Sequence, residues 1–578
     1  MTNDCIPKIS TVPDDENPRV LTNIMLEATH PDLGVIGSLS AIKILRHFCR
    51  GSFLEVMDEH SDELCQFSVA LFDKFGRVRP WLLEPGNRRG TGCWGEELNT
   101  GELVYLLDMN VDVKYRSRGL GSWMLEKLVT SDHVGNSDHL VCWPTPVGVT
   151  EKSEWTRLKE KQIAFFRKNG FRRIGRTHFF GFSPNPSHPS RAVPVSADAE
   201  EQGSHFAAAA EQDLSPEEAG QRFPLHYAIT NTQGPAIVDV INTSYQSDPA
   251  SIHTADASGF TPIHVALSIA NAHATRALLQ LGVAPDLQSA ENARGVTPLE
   301  GLAAQMRSAR EFVETVVGEW KGHAEEMLRC EFMARRAMGL PTAADTEDAY
   351  VAQRKYGCTC GVCAGGWLSK RMRFRLNFQA GMSKDMMDQE MSRFKRGVPH
   401  EDPTSLCDNA SDYLPPHLHQ SVFKTFYVGY QSVFFAIYLL LETTDLPLSK
   451  AAIAQRVAGE EGARFFFGKG GKIEYAFDAI TDVAREQSPL GDSAFEESFG
   501  EDKEYASLPK CENDLEFDLV RRMIGLDPKM KWGPYDGEGE GEDDDDDDDA
   551  MFSGGFDRDE FLREMLQRLQ SATGQAMN

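Results

Sequence analysis

The chain has 578 residues, 41% hydrophobic and 25% charged, the balance of a protein that folds in water, and it is too long for one core, so three or four domains are expected. Its formal net charge of −28 argues against general nucleic-acid binding and favours neutral or basic partners. The first seven residues, Met1-Thr2-Asn3-Asp4-Cys5-Ile6-Pro7, hold no basic stretch followed by an apolar one, so no secretory leader is expected. Eleven cysteines, scattered apart from one cluster, fit the reduced thiols of a cytoplasmic or nuclear protein.

Residues 1–39 read as an N-terminal extension and residues 40–183 as the first domain. Within it, residues 67–72 (Phe-Ser-Val-Ala-Leu-Phe) read as a strand, and Asp73-Lys74-Phe75-Gly76-Arg77 as a turn into a second strand. The apolar run at residues 103–107, continued by Met109 and Val111, reads as a further strand, and residues 123–129 have helical spacing. Between them stands Arg116-Ser117-Arg118-Gly119-Leu120-Gly121-Ser122. Gly119 and Gly121 let the backbone approach a bulky anion, and the new helix presents unpaired N–H groups and a positive dipole end to it. Arg116 and Arg118 add positive charge, so the segment reads as a pyrophosphate cradle at a strand-to-helix junction.

Arg-x-x-Gly-x-Gly after a strand resembles motif A of the GNAT superfamily of acetyl-CoA-dependent N-acetyltransferases. Ala164-Phe165-Phe166-Arg167-Lys168-Asn169-Gly170-Phe171, followed by Arg173-Ile174-Gly175-Arg176-Thr177, resembles its motif B, and His139-Leu140-Val141-Cys142-Trp143 fits the strand expected between the two. The resemblance implies an α+β GNAT fold with a mixed, splayed central sheet and acetyl-CoA lying between two parallel strands, residues 103–111 and 139–143. It further implies that Arg116, Ser117, Arg118, Gly119, Leu120, Gly121 and Ser122 hold the pyrophosphate. Backbone groups near Met109, Asn110 and Val111 would pair with the pantetheine arm and polarise the thioester carbonyl.

The acceptor amine must lose a proton, which calls for a base. Glu102 and Asp108 share strand parity, so both are expected on one face, where either could act directly or through water. Phe166 stands where many members of the superfamily carry a tyrosine that protonates the leaving thiolate, and phenylalanine cannot do so. Two readings stand: an active N-acetyltransferase, or a scaffold whose GNAT domain is catalytically weak or inactive.

Residues 184–222 are rich in Pro, Ser, Ala and Glu and read as a flexible linker. Phe223-Pro224-Leu225-His226-Tyr227-Ala228 then recurs as Thr261-Pro262-Ile263-His264-Val265-Ala266 and as Thr297-Pro298-Leu299-Glu300-Gly301-Leu302, at spacings of 38 and 36 residues. Each copy opens a helix at its proline, and residues 277–282 end a second helix at glycine. Residues 223–320 thus resemble ankyrin repeats, which implies an extended surface for a protein partner and a structural role for His226 and His264. An acceptor amine carried on a protein follows as the expectation, without direct contact to nucleic acid or membrane.

Residues 321–535 are helical by pattern. Cys358-Thr359-Cys360-Gly361-Val362-Cys363 could give three thiolates, Cys358, Cys360 and Cys363, to a structural zinc ion, with Cys330, Cys407 or His400 open as the fourth ligand. The alternative is a glycine-rich loop with unliganded thiols. Lys370-Arg371-Met372-Arg373-Phe374-Arg375 reads as a solvated helix face, and the uncharged residues 425–441 as a buried helix rather than a membrane span. From Asp536 a Gly/Glu alternation leads into seven aspartates, Asp543 to Asp549. Such a run repels itself, so residues 536–578 read as a disordered acidic tail with a short amphipathic helix over residues 557–570.

Overall fold

The computed structural model describes residues 4–46, 49, 53–83, 86–202, 216–293, 295–316, 320–406, 408–443, 448–486 and 503–535. The described residues fall into two compact units: an α/β unit, residues 4–202 together with the short segment at 291–296, and a helical unit formed by the rest. The acidic run and the helix expected at 557–570 lie outside the described residues.

The first unit is built on a seven-stranded mixed sheet in the order β1-β2-β3-β4-β5-β7-β6. Its strands are β1 (Ile6–Pro13), β2 (Leu21–His30), β3 (Gly34–Ile44), β4 (Leu103–Val111), β5 (His139–Cys142), β6 (Arg172–Arg173) and β7 (Phe180–Phe182). All neighbours are antiparallel except β4 and β5, which run parallel. Residues 1–39 are therefore not an extension, because they supply two strands and the start of a third. Alternation explains it: Ile24, Leu26 and Ala28 of β2 face one core, and Leu21 faces the other.

The helices of this unit are α1 (Phe53–His60), α2 (Asp62–Leu71), α3 (Pro80–Leu83), α4 (Leu120–Val129) and α5 (Lys152–Lys168). Residues 67–71, expected as strand, form the last half of α2. Ser61 caps that helix by accepting from Leu64 N, Asp62 and Glu63 occupy its first turn, and Leu64, Phe67, Ser68 and Leu71 fall on one buried stripe. The turn at Asp73 is present, its Oδ1 accepting from the N–H groups of Phe75 and Arg77. The second strand expected there is reduced to a single bridge between Phe72 and Val78. One core lies between the sheet and α1–α3, the other between the sheet and α4 and α5. The N-terminal part of the expected linker belongs to this unit too, since Ser190 and Asp198 are buried, and Asp198 accepts from the Arg167 Nε and the Arg173 N–H.

After a short helix, Pro216–Arg222, the second unit has three helix pairs: 224–231 with 236–247, 262–268 with 272–280, and 298–316 with 325–337. Each helix packs on its counterpart in the next pair. His226 Nε2 lies 2.8 Å from Phe260 O, one copy further on, and Thr261 and His264 form a reciprocal cap at the second proline helix. In the third copy Glu300 stands in the histidine's place and accepts from both Thr297 N and Thr297 Oγ1. No boundary falls near residue 320: Leu328, Cys330, Ala334 and Val351 share one apolar core with Val265 and Leu278.

The basic stretch is not a solvated face. Arg371, Arg373 and Arg375 are buried, on the helix Lys370–Glu390. Arg373 donates to Leu441 O at the end of the helix Lys424–Glu442, Arg371 donates to Leu508 O, and Arg375 donates to Tyr505 Oη. Each guanidinium satisfies carbonyl or hydroxyl groups that burial would otherwise leave unbonded. Among the described residues, Lys424–Glu442 is the one helix long and apolar enough to cross a membrane; it packs against helices at 370–390, 450–457, 461–468 and 473–486.

Arg521 makes a two-pronged ion pair with Asp478, at 3.0 and 3.3 Å, and Tyr535 Oη donates to the same carboxylate. Asp478 is completely buried. Arg521→Ala leaves that charge without its partner and should cost the second unit about 3–5 kcal/mol. Chemical denaturation followed at a probe in each unit checks this, with the transition of the first unit unchanged.

Candidate active site

The parallel ladder between β4 and β5 runs from Leu103↔His139 to Leu106↔Cys142, and there it stops. β4 continues for five residues to Val111. Its β3 edge remains paired there, Met109 with Leu39, Asn110 with Ser38 and Val111 with Gly37. The β5-facing edge of residues 107–111 lies beyond the ladder, which stops where β5 ends. Backbone groups on that edge are placed to bond something other than a strand.

A β-bulge falls at the same place. Ala41 of β3 pairs with Leu106 and Ser40 with Asp108, leaving Leu107 as an extra residue. The bulge inverts the alternation of side chains. Val104 and Leu106 before it, and Met109 and Val111 after it, pack in one core, whereas Leu103, Tyr105 and Leu107 pack in the other. Asp108 therefore falls on the Tyr105 face and Glu102 on the opposite one, so the shared face expected for the two carboxylates does not exist.

Glu102 is also about 20 Å of extended chain from Asp108. Its Oε2 accepts from Arg46 N, its N–H donates to Asp138, and the buried Arg46 guanidinium caps Leu98 O and Gly101 O close by. That network fastens the start of β4 and engages the Glu102 carboxylate with the Arg46 N–H. Asp108 and Asn110 are exposed just past the end of the ladder.

Arg116 to Ser122 join β4 to α4. Gly119, at φ 85°, is the N-cap of α4, and Ser117 takes φ 60°, an uncommon conformation for a residue with a Cβ. Two left-handed residues within three positions turn the chain sharply into α4, whose first N–H groups have no acceptor within the helix. Leu120 sends its side chain into the core, leaving only its N–H for a ligand. Arg116 is exposed and its Nε donates to Val111 O, while the Arg118 guanidinium lies 5.9 Å from the Tyr115 ring centre. Gly121 sits under α5: a Cβ there would stand 3.1 Å from Phe165 Cζ. A groove of about 390 Å³ opens beside this loop, on the β3 side of the end of β4, lined by Gly37, Ser38, Asn110, Val111 and Arg116 among others.

α5 ends at Asn169, Gly170 takes φ 90°, and Phe171 is buried. Phe166 is also buried, with ring centres 5.2 Å from both Phe165 and Phe171. Its side chain belongs to the core, and the residue of α5 that borders the loop is Phe165.

Sequence reasoning missed a carboxylate beside the end of the ladder. Tyr105, one residue before the last paired position of β4, donates from its hydroxyl to Glu63 Oε1 at 2.7 Å. Burial raises the Glu63 carboxyl above its ordinary value, only partly offset by that hydrogen bond. Burial, with Glu63 nearby, also pushes the thiol of Cys142, the last residue of β5, well up. The signal was present in Ser61-Asp62-Glu63-Leu64, a capped helix start, but reading residues 67–72 as a strand concealed it. On the far side of β5, the His178 ring lies against Trp143, tilted by 35° with ring centres 4.2 Å apart. Burial lowers His178 to about 4, so it is neutral at physiological pH.

In the second unit, the sulfur atoms of Cys358, Cys360, Cys363 and Cys511 all lie within 4.8 Å of one another. Of the fourth ligands considered from sequence, Cys330 is buried against Thr275 and His400 faces Asp402 O in an exposed turn; neither joins the cluster. Cys407 lies outside the described residues. Comparison of the chain with protein-family models, curated proteins and solved structures finds no match.

Proposed function

We propose that the first unit is an acetyl-CoA-dependent N-acetyltransferase of the GNAT type. The observation that carries this reading is that parallel β5 ends at Cys142 while β4 runs on to Val111, beside a left-handed loop that leads into a helix N-terminus. The loop at Arg116–Ser122 would take the pyrophosphate, through backbone N–H groups and the two arginines. The open edge of Leu107–Val111 would bond the pantetheine amides and place an N–H on the thioester oxygen.

Glu63 is the base in this reading. It is partly buried, held above the ordinary carboxylate value by that burial, and hydrogen-bonded to Tyr105 next to the end of the β4–β5 ladder. The incoming amine loses its proton to Glu63, its nitrogen attacks the thioester carbonyl, and the carbon–sulfur bond breaks to release the thiolate of coenzyme A. Asp108, exposed on the Tyr105 face, would guide a cationic amine toward the site.

The three stacked helix pairs are read as ankyrin repeats that hold a protein partner bearing the amine. The net charge of −28 suits a basic partner. A scaffold with an inactive GNAT domain is the second reading, favoured by Phe166, whose buried ring supplies no proton to a leaving thiolate. The thiols of Cys358, Cys360 and Cys363 are read separately from this chemistry, as soft donors to a structural zinc(II).

Thiol release from acetyl-CoA tests the assignment, with lysine-rich peptides and small polyamines as acceptors for the full chain. Turnover on the peptides is expected to exceed that on the amines. Binding of acetyl-CoA without turnover on any acceptor would select the scaffold.

A further inference from the structure

We infer that Cys511 is the fourth ligand of a mononuclear zinc tetrathiolate that clamps the chain around residue 511 onto the Cys358–Cys363 loop. The inference rests on reading the cluster as a zinc site, and it adds the closing ligand and what the closure does. Cys358 to Cys360, Cys360 to Cys363 and Cys363 to Cys511 are separated by 3.8, 3.6 and 3.5 Å between sulfurs. Tetrahedral zinc with Zn–S bonds of about 2.3 Å requires sulfur separations of about 3.8 Å. The spacing suits one ion at the centre, and the donors are the soft thiolates that select zinc over magnesium or calcium.

The surroundings are those of a thiolate site. Gly361 N and Gln353 Nε2 point at Cys358 Sγ, at 3.2 and 3.4 Å, and Thr359 N points at Cys511 Sγ at 3.4 Å. Such donors disperse the excess negative charge of four thiolates around a divalent ion and fix their orientation. The loop can fold this tightly because Gly361, at φ 75°, has no Cβ; one there would lie 2.1 Å from that of Ala343.

Cys511 arrives from 148 residues beyond Cys363 and is held in place independently of any metal. Its N–H donates to Asp514, which in turn accepts from Ser369 Oγ at the start of the helix Lys370–Glu390. Asn513 donates to Tyr356 O and Gly366 O, bracketing the loop from both ends. A ligand that is pre-positioned in this way closes the site at little cost in chain entropy, and the ion then cross-links two distant segments.

The test uses the full chain, prepared under reductant, with zinc and cobalt(II) as the probes. One zinc per chain is expected, together with a cobalt form showing tetrahedral ligand-field bands and charge-transfer intensity for four thiolates. Cys511→Ser should lose zinc to a chelator that the native chain resists, reduce the thiolate charge transfer, and speed proteolysis around residues 503–535. Cys511→His, which restores a donor, should recover retention without recovering the four-thiolate intensity. Iron, or no metal, in the native chain would overturn the zinc reading itself. Zinc retained equally by Cys511→Ser, with an unchanged cobalt spectrum, would leave zinc in the loop and remove Cys511 as its ligand.

Discussion

Gly121→Glu is expected to abolish acetyl-CoA binding while leaving the first unit folded. Gly121 is the second residue of α4, where helix N–H groups face the loop. A side chain there must displace the Phe165 ring, which stands 3.1 Å from the position of the new Cβ. Glutamate would turn outward to avoid it, placing a carboxylate where the pyrophosphate has to sit. Loss of charge-assisted hydrogen bonds and like-charge repulsion together amount to about 3 kcal/mol or more, about a hundredfold or more in affinity. Calorimetric titration of acetyl-CoA into the full chain measures this directly. Gly121→Ala separates the two causes, because the ring has to yield by only a few tenths of an ångström and no charge is added. Equal binding by native and Gly121→Glu chains would mean that the loop is not the cofactor site.

Glu63→Gln is expected to lower kcat about a hundredfold to ten-thousandfold, with the acetyl-CoA dissociation constant unchanged. The base works only when ionised, so kcat/KM should fall as pH drops through the Glu63 pKa. Burial raises that pKa, so the fall should begin above the ordinary carboxylate value of 4.5. Tyr105→Phe removes a hydrogen bond that favours the ionised form. Its acid limb should therefore move to higher pH, a displacement that damage to packing alone does not produce. Glu63→Gln should lose the limb altogether. If Asp108→Asn removes the limb and Glu63→Gln does not, the base is Asp108.

Much of this site was legible because its parts are local. The strand at 103–111, the loop at 116–122, the helix after it, the strand at 139–142 and the Asn169-Gly170-Phe171 turn are each specified by residues within a few positions of one another. The bulge at Leu107 was not legible, because it exists only in the pairing of β4 with β3, and it moves Asp108 and Glu102 to opposite faces. Glu63 was hidden by the apolar run Phe67 to Phe72, which alternates poorly as a strand but reads as a helical stripe once Ser61 is seen as its cap. Arg371, Arg373 and Arg375 resembled a solvated face because sequence spacing does not disclose buried carbonyls such as Leu441 O.

The sequence by itself determined what depends on short-range chemistry: glycines where the backbone must turn left-handed, apolar periods that set strand or helix, prolines that open the repeated helices, and three cysteines spaced to share an ion. Only the tertiary structure decided what depends on chain segments meeting: that β1, β2 and β3 join the sheet, with Gly37–Ile44 pairing with β4, that the β4–β5 ladder stops at Leu106 and Cys142, that Glu63 reaches Tyr105, and that Cys511 joins Cys358, Cys360 and Cys363. A hydrogen bond or a metal–ligand contact between distant residues leaves no periodicity in the chain, because its geometry is set by the packing of whole elements and not by the spacing of neighbours.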